Sequence, residues 1–208
     1  MSVNLGPVEA LYTENLKSYG IENRSLGWNS KESQILRFAV QASLIDPRLE
    51  SVSVNDLGCG YGEFYNYLIA EQVPVTEFNG YDISAEMLAA AEQHLGDNPV
   101  VKWHHNSAVD RMADYTFTSG IFNVRFKESE ADWARFVKNT LRNMFEHSKK
   151  GIAFNLLTSY VDYRAENLYY ADPSEYFDFC KTELSRYVTL IHDYPLYEWT
   201  ILVKKEAE

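Results

Sequence analysis

Asn55-Asp56-Leu57-Gly58-Cys59-Gly60-Tyr61-Gly62-Glu63-Phe64 is the stretch on which the fold turns. A short apolar run over residues 52–57 leads into it, and a helical pattern over 63–71 leads out. Glycine permits the tight turn that such a junction needs and leaves no Cβ between the backbone and a ligand. The helix amino terminus behind the turn favours a negative group.

Working outward, strands and helices alternate. Toward the amino terminus, residues 4–19 carry Leu5, Val8, Leu11, Tyr12, Leu16 and Tyr19 at helical spacing, with Gly20 placed to end them. Residues 21–29 are polar and read as a loop. Ser30 caps an expected helix over 31–44, with Ile35, Leu36, Phe38, Ala39 and Val40 on its buried side and Asp46-Pro47 as its stop. Toward the carboxyl terminus the pattern predicts strands over 77–81, 100–104, 114–122 and 151–157. Helices fall between them over 84–94 and 132–147, the latter with Trp133, Phe136, Val137, Leu141 and Phe145 inward. A helix over 173–184 and two strands, 187–192 and 198–204, close the chain. Strands separated by helices need crossover connections, which give a mostly parallel sheet with helices on both faces. About five residues join the last two strands, too few for a parallel pair, so the last strand is expected to run antiparallel. The fold class is therefore α/β, a Rossmann-like sheet of seven strands in one domain over 1–208. Residues 1–45 and 158–185 lie outside this alternation.

Two ligand classes use such a glycine turn. A dinucleotide site expects G-x-G-x-x-G. Counted from Gly58 the third glycine would be Glu63, and counted from Gly60 it would be Tyr65, so both registers fail. Glu63 would also meet a pyrophosphate with like charge. Asp56 followed by Gly58, Gly60 and Gly62 instead resembles the first motif of class I S-adenosylmethionine-dependent methyltransferases. A second landmark agrees: Asp82 ends a strand 20 residues after Gly62, where a carboxylate accepts hydrogen bonds from ribose hydroxyls. Gly80-Tyr81-Asp82-Ile83-Ser84, followed by the alanines 89–91, is similar to the same family.

The resemblance spans residues 19–204 and implies a set of cofactor contacts. Asp56, Gly58, Cys59, Gly60, Tyr61 and Gly62 form the loop. Asp82 takes the ribose, and Ile83 and Met87 lie against the adenine. The family often places an acidic residue after the third strand, but here the segment reads His105-Asn106-Ser107-Ala108, leaving Asn106 or Ser107 to offer an oxygen. Ser119 passes beside the cofactor, and Tyr12, Tyr19, Arg24 and Trp28 are lid candidates, with Arg24 able to meet the methionine carboxylate. Cys59 invites a redox reading, yet no second cysteine is near it, and a small residue filling a tight turn suffices. The resemblance also implies a helical lid over 1–45 and an acceptor-side insertion over 158–185. The expected cofactor is S-adenosyl-L-methionine, leaving S-adenosyl-L-homocysteine as product.

The acceptor side is less sharply written. Asn123 and Arg125 follow the fourth strand, where Arg125 either clamps an acceptor anion or pairs with Glu128 or Glu130. Eight of the 15 tyrosines lie between 160 and 197, and Tyr160, Tyr169 and Tyr170 are acceptor-pocket candidates. Packing or a dimer face is the competing reading. His192 and Asp193 end the sixth expected strand on the edge where substrates bind, which makes them the base candidates for a hydroxyl acceptor. The histidines form no metal pattern, His104 and His105 being adjacent and so pointing to opposite faces of a strand.

The chain of 208 residues carries 30 acidic against 19 basic residues, a formal charge of -11 that repels polyanions. No run of Lys or Arg offers a phosphate-binding track, so nucleic acid is not an expected partner. No apolar stretch reaches the roughly 20 residues of a membrane helix, and residues 1–10 lack the pattern of a signal peptide. The reading is a cytoplasmic monomer or homodimer methylating an O or N atom of a small soluble acceptor. Two other readings stay open at this stage: a non-catalytic Rossmann-like binding or interaction protein, and a nucleotide-dependent oxidoreductase.

Overall fold

The computed structural model describes residues 3–28 and 30–206; residues 1, 2, 29, 207 and 208, which the expected single domain and loop include, lie outside them. The sheet is built from β1 (Val52–Leu57), β2 (Val75–Asp82), β3 (Val101–His105), β4 (Ala113–Thr118), β5 (Ser148–Thr158), β6 (Tyr170–Ala171), β7 (Tyr187–Ile191) and β8 (Glu198–Lys204). Its order is β3-β2-β1-β4-β5-β8-β7, with the two-residue β6 beside the end of β5. β1 to β5 pair in parallel, and β8 runs antiparallel to both β5 and β7. This is the Rossmann-like architecture expected, with one short extra strand.

Alternation along the central strands divides the core between two faces. Ile152, Phe154 and Leu156 of β5 face one side, and Ala153 the other. The first side is covered by α5 (Glu130–Glu146) through Trp133, Val137, Leu141 and Met144, and by α6 (Pro173–Phe179) through Tyr176 and Phe179. The second is covered by α2 (Lys31–Ala42) through Phe38 and by α3 (Glu63–Ala70) through Phe64 and Leu68. Helices α1 (Gly6–Tyr19) and α4 (Ala85–Leu95) meet through the buried hydroxyls of Thr13 and Ser84, 2.8 Å apart.

Four local expectations are corrected. β4 stops at Thr118 rather than 122, because Gly120 takes a left-handed φ of 79° and turns the chain. The helix expected over 173–184 ends at Phe179 and continues as a wider turn, Cys180–Leu184. The loop expected over 21–29 contains a helical turn, Asn23–Leu26. The buried face of α2 is Gln34, Arg37, Phe38 and Gln41, while Ile35 is 43% exposed. A polar inner face makes sense only if other polar groups await it, and they do. Arg37 makes two 2.7 Å bonds to the Glu198 carboxylate. Gln41 donates to the Thr118 carbonyl at 2.9 Å and to Asn155 Oδ1 at 3.2 Å.

Candidate active site

The glycine turn is bent by three left-handed residues, Gly58, Gly60 and Gly62, and held to the neighbouring strand. A Cβ on Gly58 (φ 76°) would collide with Ile121 Cγ2, and one on Gly60 (φ 54°) would stand 2.7 Å from Leu26 Cδ2. Gly58 N and Cys59 N both donate to the Tyr81 carbonyl, at 2.7 and 3.0 Å. Gly60 N donates to one oxygen of Asp82 at 3.0 Å, and Ser84 N to the other at 2.9 Å. Asp82 therefore braces the loop, yet each oxygen keeps a lone pair for a further donor.

Above the turn lies a cavity that crosses the carboxyl ends of four adjacent strands, about 14 Å at the usual strand spacing. Asn106 and Ser107 follow β3, Asp82, Ile83 and Met87 close β2, Asp56 to Gly60 close β1, and Ser119 to Ile121 follow β4. Its space is about 1010 Å³ with the open mouth counted in. The roof is Leu5, Val8, Glu9 and Tyr12 of α1, with Leu26, Trp28, Gln34 and Phe38 behind and Phe136 of α5 opposite.

Burial sets the chemistry of the acids. Asp56 is 4% exposed, and its carboxyl has no hydrogen bond or ion pair to any described residue. Burial, with the charge of Asp82 added, pushes its carboxyl up to about 8. Burial also raises Asp82, against the pull of backbone N–H groups from Ser84, Gly60 and Ile83. Tyr12 is pushed up to about 12 by burial and by Asp82. The same causes hold the Cys59 thiol protonated, which fits a space-filling side chain and not a nucleophile. Two buried polar atoms at the cavity wall, Gln34 Nε2 and Ser119 Oγ, have no partner among the described residues.

A closed ring of contacts fixes the β4 end of the wall. Gly120 N donates to Asn155 Oδ1 at 2.9 Å, and Asn155 Nδ2 donates to Glu198 at 2.6 Å. Glu198 holds Arg37, whose guanidinium lies 4.0 Å over the Trp28 ring. Trp28 packs on Gly120, leaving no room for a Cβ there.

The structure thus gathers twelve sequence-selected residues at one cavity: Tyr12, Trp28, Asp56, Gly58, Cys59, Gly60, Asp82, Ile83, Met87, Asn106, Ser107 and Ser119. Other selected residues stand elsewhere. Tyr19 is 45% exposed beneath Arg24, which pairs with Glu22 at 2.8 Å outside the cavity. Tyr61 lines a separate hollow with Glu63 and His94, and Gly62 packs on Trp103 and Leu95. Arg125 is spent on the carbonyls of Leu168 and Glu128 and on Glu130, and Asn123 receives the Tyr169 N–H at its carbonyl. Tyr169 bonds Tyr176 in the core, the Tyr170 hydroxyl accepts from Ala165 N, and Tyr160 is exposed beside His192. His192 and Asp193 are exposed beyond β7, three strands and about 14 Å sideways from β4. Among the other lining residues, sequence reading passed over Glu9 and Gln34 and set Phe38 and Phe136 in the core. The signal for Gln34 was the polar i, i+3, i+7 spacing of Gln34, Arg37 and Gln41 within an amphipathic helix.

A model for a methyltransferase domain matches residues 54–151, from β1 into β5. Over 157 residues the chain is 44% identical to Rv1506c of Mycobacterium tuberculosis, itself assigned to the methyltransferases, covering 74% of this chain and 94% of that one. The chain belongs to the methyltransferase family. Among solved structures, magnesium protoporphyrin IX methyltransferase of Synechocystis PCC 6803 with bound S-adenosylhomocysteine superposes with a TM-score of 0.65 at 10% identity, covering 97% of this chain and 95% of that one. The N-methyltransferase NodS of Bradyrhizobium japonicum WM9, with the same ligand, gives 0.62 at 12% identity over 95% and 100%. These likenesses carry the fold. The methyltransferase is of the class I, S-adenosylmethionine-dependent kind. Its cavity fits that cofactor on chemical grounds, since the buried acids Asp56 and Asp82, with no cation beside them in the wall, suit a ligand with a sulfonium, an ammonium and hydroxyl groups, and the unpartnered Ser119 hydroxyl suits its polar end.

Proposed function

We propose that this methyltransferase moves the methyl group of S-adenosyl-L-methionine to an O or N atom of a small soluble acceptor. It would do so in the cytoplasm, as a monomer or homodimer, without nucleic-acid or membrane partners. One observation carries the reading: Asp56 and Asp82 sit together in a glycine-floored cavity that no described Lys, Arg or His lines. A buried acid without a cation is costly unless a ligand supplies the charge or the donors.

When bound, the cofactor supplies a methyl group already activated on sulfur. The remaining work falls to the chain. Asp82 holds the ribose hydroxyls on its spare lone pairs, Asp56 answers positive charge, and Gln34 and Ser119 meet the polar end near β4. Ile83 and Met87 give the adenine an apolar wall, with Asn106 and Ser107 at its edge. The roof of α1 keeps water out and holds the acceptor at attack distance, an effect worth roughly 7–11 kcal/mol in favourable cases.

Calorimetric titration with S-adenosylmethionine and S-adenosylhomocysteine, with NAD and NADP as controls, tests this. Binding of the adenosyl sulfur ligands alone, much weakened in Asp82→Ala, is expected. Failure to bind either would overturn the proposal.

A further inference from the structure

Leu5, the N-cap of helix α1, and Val8, Glu9 and Tyr12 within the helix line the cavity, at the i, i+3, i+4 and i+7 positions of one helical face. Such an inward stripe is apolar by default, because the solvent side is where charges lie. Glu9 breaks the rule. Its carboxylate has no hydrogen bond or ion pair to any described residue, although three other acids line the same cavity. Of those, Glu63 is taken by Asn66 and His94, Asp82 by Gly60 and Ser84, and Asp56 lies in the floor of the glycine turn. Glu9 instead hangs from the roof with Leu5, Val8, Ile121 and Phe136 as the apolar lining at hand.

This part of the wall is not needed by the cofactor groups assigned above. Nor can it receive an anion. The guanidinium of Arg37 is bonded to Glu198 and covered by Trp28, and Arg125 is spent outside the cavity. An acceptor bearing a carboxylate or phosphate would meet Glu9 with no cation to offset it. We propose that beside its cofactor the cavity takes an amine carried on an apolar body, and that Glu9 is the specificity-determining residue that holds its ammonium. The inference rests on the methyltransferase reading of the cavity.

The probes are three molecules of one skeleton, 2-phenylethylamine, 2-phenylethanol and phenylacetate, titrated into the full chain saturated with S-adenosylhomocysteine. The amine is expected to bind at least tenfold more tightly than the alcohol, and phenylacetate not at all. In Glu9→Gln the amine should fall to the level of the alcohol, and Glu9→Asp should recover part of the loss. S-adenosylhomocysteine affinity should stay within about threefold of wild type in both variants. Absent amine binding, phenylacetate binding as tightly as the amine, or an amine affinity indifferent to Glu9→Gln would overturn the assignment. So would a Glu9→Gln variant that loses S-adenosylhomocysteine, since Glu9 would then serve the cofactor. If wild type fails to bind S-adenosylhomocysteine at all, the cofactor reading falls first, and amine binding to the ligand-free chain separates the two failures.

Discussion

Two regions of the sheet, its centre at β1 and β4 and the side that runs from β5 to β7, treat their polar groups in opposite ways. Around β1 and β4 the fold leaves work undone: the Asp56 carboxyl has no partner, and Gln34 Nε2 and Ser119 Oγ are buried without one. Around β5, β7 and β8, where the tyrosines crowd, most buried polar groups are paired, with Arg37 Nη1 beside Glu198 left over. Tyr169 bonds Tyr176 at 2.9 Å, Tyr194 bonds Thr200 at 2.9 Å, and Trp199 Nε1 donates to the Ala171 carbonyl at 3.0 Å. Tyr160, Tyr163 and Tyr197, by contrast, stand largely in solvent. Buried polar atoms in folded chains are nearly always paired, so the two left over at the cavity wall suit a ligand, while Arg37 Nη1, Asn55 Oδ1 and Asn123 Oδ1 are left over away from it. Aromatic abundance is the weaker guide, because the core uses the same side chains.

The largest expected effect lies where the two regions meet. Glu198 opens β8, yet it holds Arg37 over Trp28 at the cavity wall. Glu198→Ala strands a buried guanidinium and should cost about 3–5 kcal/mol in equilibrium denaturation, while the pair Arg37→Met with Glu198→Leu should regain most of it. A loss under about 1 kcal/mol would show that water reaches Arg37 and that the regions are not joined in this way.

Next comes Asp82→Ala. Losing hydrogen bonds to a charged group, at roughly 1.5–3 kcal/mol, predicts cofactor affinity down about 10- to 150-fold by calorimetry. An unchanged affinity would remove the main distinction of the β1–β4 region.

Asp56 gives a smaller and pH-dependent effect. Its carboxyl stands near 8 in the fold against an ordinary 3.8, so the folded chain favours the protonated form. The stability it contributes is fully present below about 3.8 and is lost as pH rises through about 8. Asp56→Asn removes that loss. The ligand-free variant should therefore gain roughly 1–3 kcal/mol over wild type at pH 8 and nothing near pH 3.5, followed by urea denaturation. An equal gain at both pH values would mean that the carboxyl is not titrating in this way.

The smallest effects are expected from the β5–β7 side. His192→Ala and Tyr160→Ala touch exposed rings 5.9 Å apart, so stability should move by less than about 0.5 kcal/mol and cofactor affinity not measurably. A large fall in turnover from either would bring that edge into the site and break the comparison.

What could be read in the sequence follows from the range of the interactions involved. The sheet was legible because strand–helix alternation and the glycine turn are local, and the antiparallel β8 followed from a connection too short for anything else. The cavity floor was legible for the same reason: Asp56, Gly58, Gly60 and Asp82 all sit at strand ends. The roof was not. Glu9 and Gln34 lie on helices whose facing depends on contacts made far along the chain, such as Thr13 with Ser84 and Gln41 with Asn155. Apolar spacing also set Ile35 inward on α2, when the polar residues between were the ones with partners waiting. Arg24 and Arg125 carried charge enough for a ligand, but each found carboxylates or carbonyls within a few residues of its own position.

The Arg37–Glu198 pair has a meaning for descent as well as for folding. Its members are separated by 161 positions along the chain, with the whole glycine-turn half of the sheet encoded between them. A lineage that changes one alone must carry an unstable intermediate, so among relatives the two are expected to be inherited, or exchanged for an apolar couple, together.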